Sequence, residues 1–196
     1  DWLGQMVEAA TGQRIDAYCR EKFFDPLGMS NTRFELEGDM EARLAQAHIF
    51  ADGQWAPHEI APPPGPEVYG MGHALYTTGP DYLTFIRMLM GGGKLNGACV
   101  LAEDTVKMYC ANQIGDLSVG KMTSYAPPLS AAVDFFPEQE NKFSLGCLLN
   151  TEDIDGKRRA GSQSWAGVLN THYWFDPTAG VAAVIMLQHL PFVDDN

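Results

Sequence analysis

Residues 161–175 read GSQSWAGVLNTHYWF, and this stretch is the most informative segment of the chain. Its first residues are small and polar, and the apolar and aromatic residues that follow are typical of a β-strand. Gly167 falls inside the apolar part, where a glycine indicates that a ligand or another backbone segment approaches closely. The alternative is a glycine required for packing or for a β-bulge.

Further apolar stretches on both sides of this segment predict a sheet. Turn-forming residues at 153–156 and 176–180 make short connections, which predict an antiparallel meander. Residues 181–187 are apolar almost throughout. We therefore expect the last strand to be buried on both faces, with helices covering each side of the sheet. The predicted strands are residues 143–149, 157–162, 168–175 and 181–188.

The first part of the chain predicts helices and one hairpin. Asp25-Pro26 should end the second helix, because the residue before a proline avoids the α-helical region. Thr78 and Asp81 have the spacing of a capping box at the start of a third helix. Asp52-Gly53 predicts the turn of a hairpin. The predicted helices are residues 1–11, 15–23, 79–91 and 103–111, the hairpin strands are 45–50 and 54–58, and loops are expected at 62–66 and 112–142.

Composition limits the function. The chain has 196 residues, of which 45% are hydrophobic, so it can bury a substantial core as one domain or as one large piece of a bigger domain. The predicted helices and antiparallel sheet together give an α+β fold class. Its formal net charge of -12 disfavours nucleic acid and anionic membrane surfaces. No apolar run approaches the roughly 20 residues of a membrane span.

The four cysteines and five histidines are scattered along the chain. No C-x-x-C pair is present, which argues against a zinc site and favours a reducing compartment such as the cytoplasm. Neither a metal nor an organic cofactor is expected. Gly92-Gly93-Lys94 lacks the remaining residues of a phosphate-binding loop.

A nucleophile is not evident within the chain. The G-x-S-x-G motif is absent, so an α/β-hydrolase triad is excluded. Ser118 and Lys121 match S-x-x-K, but they lie in a stretch that does not predict a helix. In S-x-x-K hydrolases, a helix is needed to bring the lysine to the serine hydroxyl.

The order of segments resembles serine hydrolases of the penicillin-recognising family, especially β-lactamase-like carboxylesterases. Phe24-Asp25-Pro26-Leu27-Gly28-Met29 is the most specific single motif. The other matching segments are Leu3-Gly4 through Thr11-Gly12, Thr32 with Phe34, Met71-Gly72 through Tyr82, Trp165-Ala166-Gly167 and Tyr173 through Pro177.

The resemblance implies a β-lactamase or penicillin-binding-protein-like fold, incomplete at the N-terminus, with residues 1–196 as its C-terminal portion. It also implies acyl transfer by a serine of an S-x-x-K helix, assisted by a lysine and a tyrosine. All three are expected upstream of Asp1, so the N-terminal remainder of the same protein is the expected partner and 1–196 alone should be inert.

Trp165-Ala166-Gly167 aligns with the Lys-Thr-Gly box of this family, on an edge strand beside the nucleophile. By this resemblance, Gly167 leaves room for substrate and the Val168 N–H is one of two oxyanion donors. Trp165 and Ala166 offer neither a cation nor a hydroxyl for a substrate carboxylate, which favours a small neutral ester. Trp165 would stack on it; the alternative for Trp165 is core packing. The alternative function is a catalytically inactive binding or regulatory module.

Overall fold

A computed structural model describes residues 1–60 and 64–193 of the chain. It confirms the α+β class, with helices packed on an antiparallel sheet of five strands in sequence order. Each strand pairs with its chain neighbour, so the predicted meander is also confirmed. The strands are β5 (Asn141–Phe143), β6 (Leu148–Asn150), β7 (Gln163–Gly167), β8 (Thr171–Asp176) and β9 (Val181–Met186).

Two of the predicted strands are wrong. Residues 143–149 contain the end of β5, a tight turn and the start of β6, because the Ser144 N–H donates to the Cys147 carbonyl at 2.8 Å. Residues 157–162 form a loop rather than a strand. The Lys157 and Arg158 N–H groups donate to the Ile154 carbonyl at 2.9 and 3.2 Å, and the Ala160 N–H donates to the Asp153 carboxylate at 2.8 Å, so these backbone groups close a local turn.

Strand β9 does not have the burial expected from its composition. Val181 is 47% exposed and Ile185 is 57% exposed, and Ala183 between them is also exposed, while Ala182 and Val184 are half-buried. Helix α4 (Gly79–Met90) packs against β9, and on the core side Ala182 and Val184 contact the buried cluster. The expectation of helices on both faces is therefore wrong for the described residues, because the other face carries Val181 and Ile185.

The first helix is confirmed as α1 (Trp2–Thr11), and Gly12 ends it at a φ of 69°. The second prediction fails at its end, because Asp25 keeps helical angles and the chain stays helical through Leu27. A π-helical turn precedes Pro26, and its wider spacing lets Asp25 N–H donate to Arg20 O. The segments are α2 (Ile15–Cys19), the π-helical turn (Arg20–Phe24) and α3 (Asp25–Leu27).

Helix α4 begins at the predicted cap. Thr78 Oγ1 accepts from the Asp81 N–H at 3.4 Å. The Asp81 carboxylate does not complete a capping box, because it binds Asn31 and Thr32 instead.

The core lies between α4, the α1–α3 region and one face of the sheet, and includes Phe24, Leu27, Ile86, Met88 and Phe175. Helix α5 (Glu103–Cys110) follows, after the hairpin of β3 (Lys94–Leu95) and β4 (Ala98–Cys99).

The predicted hairpin is confirmed as β1 (Ala47–Ala51) and β2 (Gln54–His58), with positive φ angles at Asp52 and Gly53. The sequence did not predict that β1 also pairs in parallel with β10 (His189–Leu190). These three strands make a second, smaller sheet.

The first part of the expected 62–66 loop lies outside the described residues. Among the helices of residues 1–60 and 64–193, none is long and apolar enough to cross a membrane.

Candidate functional site

Residues 165–167 lie in β7, but β7 is a central strand rather than the expected edge strand. On one side it pairs with β8 along its whole length, from Gln163 opposite Phe175 to Gly167 opposite Thr171. On the other side, pairing with β6 reaches only Ser164, which lies opposite Leu148. Trp165, Ala166 and Gly167 are therefore unpaired only on the side of β7 that faces β6, which we call the unpaired half of β7.

Val168 does not begin a strand, because residues 168–170 form the turn between β7 and β8. The Asn170 N–H donates to the Gly167 carbonyl at 3.0 Å and closes this turn. In a planar trans peptide, the carbonyl and the following N–H point in opposite directions. The Val168 N–H therefore points away from β8, toward the side of β7 that β6 leaves unpaired.

The space beside Gly167 is open. A Cβ built at this position would meet only the Thr171 Cβ, at 3.9 Å, which is an ordinary contact. The register from β7 to β8 is unbroken, so there is no bulge at Gly167. Neither packing nor a bulge requires a glycine here, whereas Gly93 has both a positive φ of 88° and a backbone oxygen in the way of a Cβ.

Trp165 is half-buried and belongs to an aromatic cluster. Its ring meets the Phe143 ring edge-on, with centroids 5.0 Å apart, and lies 6.3 Å from the Phe135 ring. These contacts fix the indole beside the unpaired half of β7. They agree with the packing role for Trp165 and leave part of its surface accessible.

Ala166 lies opposite His172 on β8. The His172 ring stacks on Phe192 with centroids 5.8 Å apart. Burial, followed by the nearby His189, lowers the pKa of His172 below its ordinary value. The cross-strand partner of Ala166 is therefore a histidine held in an aromatic stack.

A recess of about 270 Å³ lies against β7 and β8, and sequence analysis missed its main polar residue, Arg158. The Arg158 guanidinium lies 4.6 Å from the Phe136 ring centroid and 5.3 Å from that of Trp174. It donates to Ser164 Oγ at 3.1 Å and Asn150 Oδ1 at 3.3 Å. Burial lowers the pKa of Arg158. No local sequence pattern indicates this site, because Phe136 and Arg158 lie in separate loops.

The S-x-x-K motif does not form a catalytic pair. Ser118 Oγ donates to the Glu140 carboxylate at 2.7 Å, and the lysine beside it is Lys142, with Nζ 3.3 Å away, rather than Lys121. Lys142 Nζ also donates to Glu140 at 2.6 Å and to the Leu117 carbonyl at 2.9 Å. Because Ser118 Oγ donates to Glu140 and the neighbouring lysine is Lys142, Ser118 and Lys121 do not form the pair that an S-x-x-K mechanism requires.

Metal-binding residues do not converge within residues 1–60 and 64–193, where no three His, Cys, Asp or Glu side chains form a group suited to a metal ion. All four cysteines are free.

The chain is similar in sequence to a fungal esterase and to a fungal methylbutanoyltransferase. It is 27% identical to lovastatin esterase of Penicillium rubens, covering 100% of this chain and 50% of that protein. It is 29% identical to monacolin J acid methylbutanoyltransferase of Aspergillus terreus, covering 99% of this chain and 48% of that enzyme. The chain thus spans about half the length of these relatives.

Solved structures give the same result. Unliganded simvastatin synthase of Aspergillus terreus superposes with a TM-score of 0.80 at 26% identity, over 100% of this chain and 49% of that one. A penicillin-binding protein homologue from Pyrococcus abyssi has a TM-score of 0.64 at 14% identity, over 95% and 36%, and shows the fold alone. The family model described as Beta-lactamase matches residues 1–196. The chain therefore belongs to the β-lactamase family of serine hydrolases and acyltransferases.

Proposed function

We propose that the protein containing this chain is a carboxylesterase that cleaves small neutral esters through an acyl-enzyme. The observation that carries this proposal is the Val168 N–H, which points to the unpaired side of β7 beside the open space at Gly167. Membership of the β-lactamase family supports a serine nucleophile, and the similarity to lovastatin esterase supports an ester substrate.

In the proposed reaction, the serine hydroxyl attacks the ester carbonyl and negative charge develops on the carbonyl oxygen. The Val168 N–H donates to that oxygen in the transition state, and the N–H of the nucleophile donates the second bond. The alcohol leaves with a proton, and water then attacks the acyl-enzyme and releases the acid. Removing one such donor typically lowers kcat about 100- to 1,000-fold.

The nucleophilic serine, its lysine and the catalytic tyrosine are proposed to come from sequence preceding Asp1, with residues 1–196 forming the C-terminal portion of the domain. Two observations on β9 support a contribution from further chain. Val181 and Ile185 leave apolar surface exposed on one face, and β9 pairs only with β8 among the described strands. The chain also spans about half of its relatives' length.

The preference for a neutral substrate follows from the residues at the unpaired half of β7. Trp165 and Ala166 provide no cation or hydroxyl for a carboxylate, and the chain carries a formal net charge of -12. Arg158 already binds Ser164 and Asn150 and stacks between two rings, so it is not free to pair with a substrate anion. An apolar ester can pack against the accessible part of the Trp165 indole.

A second candidate is transfer of the acyl group to an alcohol other than water. The similarity to a methylbutanoyltransferase supports it, because an alcohol that attacks the proposed acyl-enzyme in place of water would yield a new ester. The two reactions are separated by adding an acceptor alcohol and measuring the ratio of new ester to free acid.

The test uses the full-length protein and p-nitrophenyl butyrate. Hydrolysis, with a butyryl adduct on a serine preceding Asp1 detected by mass spectrometry, is the expected result. Gly167→Ala should lower kcat/KM at least tenfold, because the added methyl occupies the space proposed for the substrate. It should not lower Tm, because the methyl meets only the Thr171 Cβ at an ordinary contact distance. Gly120→Ala, at an exposed glycine with equal room for a Cβ, is the matched control.

Absence of hydrolysis and of any adduct would instead support the catalytically inactive binding or regulatory module. Hydrolysis that is unchanged in Gly167→Ala would leave an esterase whose substrate does not lie along β7. That result would contradict the role proposed for Gly167 and Val168.

A further inference from the structure

We propose that Asn170 is a positioning residue for the oxyanion donor, because its side chain fixes the β7–β8 turn that carries the Val168 N–H. This inference rests on the proposed function, which gives the Val168 N–H its role. It adds a residue that determines where this N–H lies. The hydrogen-bond partners of that residue are 19 to 23 positions later in the sequence.

The Asn170 side chain is buried and its hydrogen-bonding capacity is used. Only 4% of the residue is exposed. Nδ2 donates to the Pro191 carbonyl at 2.8 Å and to the His189 carbonyl at 3.0 Å, and lies 3.2 Å from His189 Nδ1. Oδ1 accepts from the Val193 N–H at 2.9 Å. One side chain thus joins the turn to three residues near the end of the described chain.

The backbone of Asn170 is equally specific. Its φ of 61° lies in the left-handed region, which asparagine and glycine tolerate better than other residues. Its N–H closes the turn on the Gly167 carbonyl at 3.0 Å. Asparagine therefore meets two requirements, the turn conformation and the side-chain bonds, and glycine would meet only the first.

The segment on which Asn170 is anchored begins with a paired strand. β10 pairs with β1, and β1 pairs with β2. The His189 N–H donates to the Leu169 carbonyl at 3.3 Å, which adds a backbone bond from β10 to the same turn. Asn170 thereby connects the smaller sheet to the five-stranded sheet.

This connection bears on catalysis because an oxyanion donor must be placed to within about 0.5 Å. Val168 begins the turn and is 54% exposed, so burial of its side chain holds it only weakly. The bonds of Asn170, two residues later, are the nearest buried side-chain anchor in the turn. Loosening them displaces the Val168 N–H while leaving the rest of β7 paired with β8.

The experiment uses the full-length protein with Asn170→Gly and Asn170→Asp, and Asn96→Gly as the matched control. Glycine keeps the positive φ and removes every side-chain bond. Aspartate keeps the acceptor for Val193 and removes the donors to His189 and Pro191. Asn96 also has a positive φ, 49°, and lies exposed in the β3–β4 turn, away from β7.

With p-nitrophenyl butyrate, Asn170→Gly should lower kcat at least tenfold and leave KM within twofold, because the donor acts mainly in the transition state. Asn170→Asp should lower kcat less, and Asn96→Gly should not change it. Circular dichroism confirms that each variant is folded. A kcat within twofold of wild type in folded Asn170→Gly would overturn the proposal.

Hydrogen exchange of the Asn170 and Val193 amides separates this inference from the proposed function. In Asn170→Gly, faster exchange is expected at the backbone amides of residue 170 and Val193, whether or not the protein hydrolyses the ester. In Asn96→Gly, exchange at the Asn170 and Val193 amides should be unchanged. Unchanged exchange would overturn the anchoring role. A wild-type protein without hydrolysis would contradict the proposed function, and the exchange result would then decide the anchoring role alone.

Discussion

Thr32 Oγ1 donates a hydrogen bond to Asp81 Oδ2 at 2.9 Å, and both residues are buried. The same carboxylate oxygen accepts from the Asn31 N–H at 2.8 Å. Asp81 lies in the first turn of α4, so this pair joins the segment after α3 to the helix that packs against β9. This polar cluster of Asn31, Thr32 and Asp81 holds the helical layer in place against the sheet that carries the candidate site.

Asp81→Ala should lower the free energy of unfolding by about 1–3 kcal/mol, because it leaves the Asn31 N–H and the Thr32 hydroxyl without this acceptor in a buried site. Urea denaturation of the full-length protein measures the change. Asp134→Ala, at an exposed aspartate, is the control and should change stability little. Equal stability of the two variants would show that the cluster contributes nothing net.

Gly93 and Gly97 allow the steric and conformational parts of a glycine requirement to be separated. Both have a φ of 88°, but a Cβ at Gly93 would clash with the Leu101 carbonyl oxygen, whereas a Cβ at Gly97 has free space. Gly97→Ala should cost about 1 kcal/mol for the left-handed conformation. Gly93→Ala should cost clearly more in thermal denaturation. Similar losses in Tm would mean that the Leu101 backbone moves away at little cost.

Arg158 should not be replaceable by lysine. Arg158→Lys loses the planar stacking between Phe136 and Trp174 and the bonds to Asn150 and Ser164, so we expect a loss of about 1–3 kcal/mol. Arg159→Lys, on the exposed neighbouring side chain, is the control. Chemical denaturation curves compare the two, and a tolerated Arg158→Lys would contradict the structural role.

The tyrosines around Cys147 predict a loss of stability in alkali. The Cys147 Sγ lies 3.2 Å from the Tyr109 hydroxyl and 3.3 Å from the Tyr173 hydroxyl. Burial, followed by the nearby Cys147, raises the pKa of both tyrosines, and the same causes raise the pKa of Tyr82 to about 12. The folded protein therefore keeps phenolic protons that the unfolded chain releases near pH 10.

Because these folded-state pKa values are raised, their contribution to stability is complete below about pH 10 and is lost as the pH rises toward the folded values. Denaturation between pH 8 and pH 12 should show this fall, and it should be smaller in Tyr82→Phe. Tyr125→Phe removes a phenol that is 99% exposed and should leave the profile unchanged. A profile that is flat above pH 10 would refute the prediction.

Local patterns predicted the elements whose stabilising contacts are local. Helix α1 ends at Gly12 and the β1–β2 turn lies at Asp52-Gly53, as the residue types require. The end of the second helix was missed because a π-helical turn offset the effect of Pro26. The break between β5 and β6 was missed because an apolar run does not reveal a turn that depends on the bond from Ser144 to Cys147.

The sequence by itself determined the α+β class, the antiparallel meander and the family resemblance, because periodicity, turn residues and motif order are properties of neighbouring residues. Only the tertiary structure decided which half of β7 is unpaired and where the Val168 N–H points. The reach of β6, and the bonds of Asn170 with residues 19 to 23 positions later, depend on contacts between distant segments. Such contacts form when the whole core packs, and they leave no periodic trace in the sequence.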